Sequence, residues 1–245
     1  MFVVKRLSKT FNILFIIAIL CIYGIYKVYA NQPYDTRVHF MIGLSMFNVF
    51  YFCAYKYFLS KDQEFVELSG IDTFNWWNEL SLQLCNINML LIPIGFIFKS
   101  DFLLGFSFFI GPMGAILAIF MPEPAFSGYS LLKPRILGFY GNHYLLFISG
   151  ISLMTLNLFV PDVHYIPGIV GISILLTVIV HIINTLLRIH LCKHANYFFT
   201  YSPGGVGALE KLREMINIPL LYICPLFLLM IPYMYAVCKL YAFLY

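Results

Sequence analysis

Long apolar runs separated by short polar intervals dominate the chain. They fall at roughly 11–29, 37–58, 80–98, 102–121, 143–160, 167–189 and 218–241. A run of about 20 apolar residues is the length of a helix that crosses a bilayer. The pattern predicts an all-α membrane protein, a bundle of about seven transmembrane helices forming one polytopic domain over residues 1–245. The connections are short except at 59–79, 122–142 and 190–217, and leave no room for a soluble catalytic domain. There is no internal repeat. Lys5, Arg6 and Lys9 before the first run, and Ala30 after it, resemble the flanks of a secretory leader. The apolar stretch nevertheless exceeds the usual leader core of about 7–15 residues, so an uncleaved first helix is expected.

The third run opens on a dense polar cluster, and polar side chains inside a membrane helix are costly and mark function by default. At 100° per residue, Asn78, Ser81, Cys85 and Asn88 share one helical face. Glu79, Gln83 and Asn86 make a second polar strip beside it, while Leu80, Leu84, Ile87 and Leu91 form an apolar face opposite. Two readings fit. One is hydrogen-bonded glue between helices, at about 1 kcal/mol per pair. The other is a water-filled cavity or a headgroup-binding site. Glu79 is expected at the helix start, as an interfacial cap that favours the helix dipole or as an acid/base group. Trp76 and Trp77 fit an interfacial aromatic belt. Cys85 is either a small buried hydrophobe or a nucleophile.

The sixth run carries Thr177, His181, Asn184, Thr185 and Arg188 at helical spacing. By counting, His181 lies at about the depth of Cys85, roughly 10–12 Å from the inner surface, and His143 opens the fifth run on the same side. Cys85, His143, His181, Asn184 and Arg188 are therefore expected to converge. A thiol beside an imidazole is the raw material of a cysteine–histidine nucleophile. The alternative is that His181 and Asn184 satisfy each other in the core.

Composition agrees with the membrane reading: 61% of residues are hydrophobic, 11% are charged, and mean hydropathy is +0.86. Of the 15 Lys and Arg residues, only Lys27, Arg37, Lys99 and Lys239 fall outside if the N-terminus is inside. Basic residues collect on the cytoplasmic side, so the N-terminus is expected inside and the C-terminus outside, in the cell membrane. The net charge of +4 follows from that bias. It does not indicate nucleic acid, because no basic stripe with interleaved aromatics occurs in a loop.

The six cysteines lack CxxC spacing and form no disulfide framework. His190, Cys192 and His194 make a short run of metal-ligand types, read here as a membrane-surface loop. No metal and no cofactor is expected. Within 190–217, Leu209, Leu212, Met215 and Ile216 oppose Glu210, Lys211, Arg213 and Glu214, which predicts a short amphipathic surface helix.

The order of motifs resembles the bacterial YwaF-like family of small integral membrane proteins. The family pattern Leu-Pro-Leu-His-Leu-Cys-(Ser/Asn) has its counterpart in Leu80-Ser81-Leu82-Gln83-Leu84-Cys85-Asn86. A Gly-x-x-Gly-Ala stretch ending in Pro corresponds to Gly111 through Ala115 and Pro122. An aromatic pair precedes a histidine at Phe139-Tyr140-Gly141-Asn142-His143, and an Asn-Tyr-aromatic motif before a Pro is found at Asn196-Tyr197-Phe198-Phe199 and Pro203. These pieces cover about residues 78 to 222.

That family is distantly similar to an animal membrane acyltransferase group that moves fatty acyl chains between phospholipids, using a helix cysteine and a nearby histidine. The resemblance implies that Cys85 is the nucleophile and His143 the base. A phospholipid or lysolipid would be the substrate, and Asn86 or Asn88 would donate to the oxyanion. Arg188 or Lys133 would take the lipid phosphate. Glu79, Gln83, Asn184, Asn196 and Tyr197 complete the expected binding set. One departure stands out: Gln83 replaces the family histidine, so His143 or His181 must serve as base, or the protein binds without catalysis.

Two other classes remain open from the residues. A transporter or permease accessory subunit fits the polar cluster and the helix prolines Pro112, Pro225 and Pro232, although the inverted repeat of many transporters is missing. A non-catalytic protein that binds a lipid or a membrane-protein partner fits the loss of histidine at position 83.

Overall fold

The computed structural model describes residues 2–69, 71 and 73–244. Among these the chain is almost wholly helical. Strand β1 (Val3–Val4) precedes α1 (Lys9–Tyr29), α2 (Tyr34–Leu59), α3 (Gln63–Leu68), α4 (Leu84–Ile97) and α5 (Asp101–Phe120). Strand β2 (Tyr129–Ser130) then leads into α6 (Pro134–Thr155), α7 (Ile166–His190), α8 (Gly207–Met215) and α9 (Cys224–Leu244). The strands pair antiparallel, Val3 opposite Ser130 and Val4 opposite Tyr129.

Six helical segments are long and apolar enough to cross a membrane: Lys9–Tyr29, Tyr34–Leu59, Asp101–Phe120, Pro134–Thr155, Val163–His190 and Leu221–Leu244. The predicted third span differs. Its helix, α4, has 14 residues, about 21 Å at 1.5 Å per residue against a hydrocarbon core of about 30 Å. Residues 79–83 are not helical. The Asn75 side chain accepts from the Trp77 amide and starts a single 3-10 turn at Trp76–Asn78. The Leu80 amide then goes to the Tyr197 hydroxyl instead of to a carbonyl one turn back.

The fifth span is also displaced. It begins at Pro134, an N1 proline with its φ already helical. His143 therefore lies nine residues inside the helix, about 13 Å along its axis, and does not open the span.

The chain divides into two compact units, residues 1–74 with 85–159 and residues 75–84 with 160–245. In the first, α6 is the central helix and packs against α1, α2 and α5. It is buried on nearly every side, whereas α1 turns Ile13, Ile16, Ile17 and Leu20 outward. Close approach to α6 depends on glycines. A β-carbon at Gly138 would stand 2.0 Å from the Tyr55 ring, and one at Gly150 would stand 2.5 Å from Pro112.

Ahead of α6, the fully buried Arg135 sits over the Tyr129 ring and donates to Asp62, to Glu64 and to the Ala125 carbonyl. Lys133 pairs with Glu64 as well. Asp62 also caps α3 by accepting from the Phe65 amide. The cluster thus ties the start of α3 to the start of α6.

In the second unit α7 packs against α9. The predicted amphipathic surface helix is α8. Its Leu209 is buried with Tyr222 and Ile223, while Met215 is 80% exposed, so the helix lies on its own unit and keeps an apolar end free.

Candidate cysteine–histidine site

Two successive residues of α4 face two successive residues of α6. Cys85, the second residue of α4, lies with its Sγ 3.6 Å from Nε2 of His143. Beside it, the Asn142 side-chain amide donates to Asn86 Oδ1 at 2.8 Å, both residues buried. Helical geometry orients the imidazole. His143 Nδ1 is 2.8 Å from the carbonyl oxygen of Phe139, one turn earlier. A carbonyl only accepts, so Nδ1 carries the proton, and Nε2 of the neutral ring is the acceptor that faces the thiol. The Phe139 ring packs on the imidazole at 4.4 Å and stacks on Phe126 at 4.5 Å. His143 is 6% exposed and Cys85 is half-buried.

Two features of α4 and α5 complete the surroundings of the thiol. First-turn amides of a helix have no partner within it and attract negative charge, and Cys85 stands in that turn. On α5, a β-carbon at Gly114 would lie 3.3 Å from Cys85 Cβ, so glycine there lets the two helices approach at Cys85. One turn further along α4, Asn88 is buried against Gly111.

The second unit holds the other residues predicted from sequence. Glu79 follows the 3-10 turn, five residues ahead of α4, and accepts from Asn78; it is not at a helix N-terminus. Gln83 Oε1 accepts from the Phe198 amide at 3.0 Å. Asn184 is fully buried: its Oδ1 accepts from the Tyr197 amide, and its Nδ2 donates to the Tyr197 carbonyl and to Thr200 Oγ1. Tyr197 donates its hydroxyl to the Trp77 carbonyl and accepts from the Leu80 amide. Burial pushes this phenol above its ordinary pKa, so it remains a donor. Asn196 closes its own turn through Tyr201 and Ser202.

His181 does not bond Asn184. Its ring stacks on Tyr201 at 4.7 Å, and Arg188 lies over the same tyrosine while donating to the Ala195 carbonyl. Lys133, the other cation expected to meet a phosphate, is committed to Glu64. Cys85, His143, Asn86 and Asn88 thus share one unit. Glu79, Gln83, His181, Asn184, Arg188, Asn196 and Tyr197 belong to the other.

Sequence reading missed Asn142 and the orienting Phe139 carbonyl. Both had a signal. Once 134–142 is helical, Phe139 is four residues before His143, and Asn142 adjoins it.

No curated protein and no solved structure matches the chain. A family model described as the TMEM164 family matches residues 3–245. The matched family is a transmembrane one, in agreement with six membrane-length segments, and it carries a name other than YwaF. The match takes in both units from β1 to α9, and the chain belongs to the TMEM164 family.

Proposed function

We propose that this protein is a membrane-embedded acyltransferase that moves fatty acyl chains between glycerophospholipids through a Cys85 thioester. The observation that carries the reading is the 3.6 Å contact between Cys85 Sγ and His143 Nε2, with the imidazole tautomer set by the Phe139 carbonyl. The resemblance to cysteine-dependent lipid acyltransferases supports the same two residues. The structure also bears on the Gln83 departure. Gln83 bonds a backbone amide, and the histidine at the thiol is His143.

The chemistry follows from the pair. His143 Nε2 takes the Cys85 proton, and the thiolate attacks the ester carbonyl of a donor phospholipid. The oxyanion develops beside first-turn amides of α4 and the Asn86 amide. Collapse breaks the bond from carbonyl carbon to glycerol oxygen. The His143 imidazolium returns its proton to that oxygen, which releases a lysolipid and leaves the acyl group on sulfur. In the second half, His143 takes the proton of an acceptor lysolipid hydroxyl, the hydroxyl oxygen attacks the thioester carbonyl, the carbon–sulfur bond breaks, and the His143 imidazolium returns the proton to the Cys85 sulfur. On the orientation expected from the basic residues, the substrates are lipids in the cytoplasmic leaflet of the cell membrane.

Reconstitution in vesicles with a labelled phospholipid and an unlabelled lysophospholipid tests the reading. Labelled chain is expected on the acceptor, with a hydroxylamine-sensitive acyl adduct on the protein, and Cys85→Ala and His143→Ala are expected to remove both. Full transfer by Cys85→Ala would end the proposal.

A further inference from the structure

We propose that Phe126 and Arg135 are positioning residues for the His143 imidazole. Arg135 fixes the loop that enters α6, and the Phe126 ring of that loop backs Phe139, which packs on the imidazole. The proposal rests on the cysteine–histidine reading above and adds residues that touch neither reacting group. All of them belong to the unit that contains Cys85 and His143.

Arg135, Phe139 and His143 follow one another at four-residue spacing on α6, so they form one ridge of that helix. The connection from α5 lies along this ridge in register. Arg135 Nε donates to the Ala125 carbonyl at 3.1 Å. The next loop residue, Phe126, stacks its ring on Phe139 at 4.5 Å, with 11° between the planes. Phe139 packs in turn on the His143 ring at 4.4 Å and supplies the carbonyl that holds Nδ1. Two adjacent loop residues thus meet two ridge residues one turn apart. The third ridge residue is the imidazole that faces Cys85.

The loop has little structure with which to hold this arrangement by itself. Between α5 and α6 its regular elements are a 3-10 turn at Pro124–Phe126 and the two residues of β2. Its fastening comes from Arg135. That guanidinium bonds Ala125, the neighbour of Phe126, and also both carboxylate oxygens of Asp62. Asp62 caps α3 at the Phe65 amide, and the Phe65 ring lies 5.8 Å from that of Phe126. One side chain therefore places the Phe126 backbone and a second ring beside it. β1 adds a further tie, since the Gly128 amide donates to the carbonyl of the fully buried Val4. Burying a guanidinium is costly, and an apolar side chain in its place is often neutral or better for stability. What arginine supplies is direction, because its planar fork bonds several groups in fixed geometry.

The imidazole needs such backing. The Nδ1 bond sets its tautomer, and the packed Phe139 ring keeps it from swinging away from α4. Phe126 fills the space into which Phe139 would otherwise relax. A side chain truncated in a packed interior leaves a cavity that its neighbours partly fill. Movement of Phe139 would carry the imidazole with it, and a misplacement of about 1 Å at a reacting group costs on the order of 100-fold in rate.

The test reads the Cys85 thiol directly. The purified full-length chain is treated with iodoacetamide between pH 5 and 10, and modification of the Cys85 peptide is followed by mass spectrometry. The plateau at high pH reports access to the thiol, and the midpoint of the profile reports the assisting base. His143→Ala defines the midpoint of the unassisted thiol. Phe126→Leu keeps apolar bulk but loses the flat face, and Arg135→Lys loses the fork. Both are expected to move the midpoint toward that of His143→Ala, with alkylation near pH 7 slowed by about 5-fold or more. Phe126→Tyr keeps the stacking ring and is expected to keep the wild-type midpoint. A role in stability alone would lower the melting temperature without moving the midpoint. Phe126→Leu is the milder change and keeps the test available if Arg135→Lys fails to fold. If His143→Ala moves the midpoint and Phe126→Leu does not, the positioning role is wrong and the cysteine–histidine pair stands. If His143→Ala moves nothing, the pair itself is refuted, and the positioning role with it.

Discussion

Asn142 donates its side-chain amide to Asn86 Oδ1 at 2.8 Å, one residue along each helix from the Cys85–His143 contact. The two contacts are consecutive rungs between α4 and α6. The asparagine rung fixes the rotation of α4, so it also fixes the direction of the thiol. A buried polar group that loses its partner costs about 1–3 kcal/mol, whereas replacing both partners by apolar groups is nearly neutral.

Asn86→Leu and Asn142→Leu are each expected to lower stability by about 1–3 kcal/mol, and the double variant by less than the sum of the two. Denaturation of the four proteins of this cycle in detergent measures the coupling. Acyl transfer should fall in all three variants, because the apolar pair restores packing without restoring the hydrogen-bonded register. Additive losses would show that the two side chains do not act as a pair.

The ion cluster ahead of α6 has its own signature. Hydrogen bonds from Arg135, and then from Lys133, hold the Glu64 carboxyl down from its usual range to about 2. A carboxylate with a depressed folded pKa stabilises fully above its unfolded value, near 4.5, and loses that contribution as pH falls through its folded value. The melting temperature is therefore expected to decline between about pH 4.5 and pH 2. Glu64→Gln should flatten that decline while leaving Arg135 its contact with Asp62. An unchanged slope in Glu64→Gln would assign the acid sensitivity elsewhere.

The membrane helices were legible because lipid demands long apolar runs, and nothing else in a chain of 245 residues produces them. The sequence singled out Cys85 within a polar cluster and His143 through the motif order, and the structure brings these two side chains into contact. Two boundaries were not. Residues 134–142 read as a connection because Pro134, Gly138, Gly141 and Asn142 look like breakers. Here the proline begins the helix and Gly138 admits the Tyr55 ring. Residues 79–83 read as helix because their polar positions recur at helical spacing. The Leu80 amide instead bonds a tyrosine 117 residues away, a partner that no local pattern announces. Periodicity therefore placed Gln83 on a polar strip beside the Cys85 face, whereas in the fold Gln83 accepts from the Phe198 amide and Cys85 meets His143.

Gly114 offers the sharpest test of how finely the site is set. Glycine at this position lets α5 lie against the first turn of α4, and an added β-carbon would stand 3.3 Å from Cys85 Cβ. That spacing is too tight for ordinary contact, so Gly114→Ala should push Cys85 by a few tenths of an ångström, with little global effect. A misplacement of about 1 Å at a reacting atom costs on the order of 100-fold in rate. A shift of this smaller size should then slow acyl transfer by roughly 2- to 10-fold. Gly114→Val, which cannot be absorbed by so small a movement, should slow it further. Initial rates in vesicles, set beside melting temperatures of the same preparations, separate displacement from unfolding. Equal rates for wild type and Gly114→Val at equal stability would mean that the thiol position is not what limits the reaction.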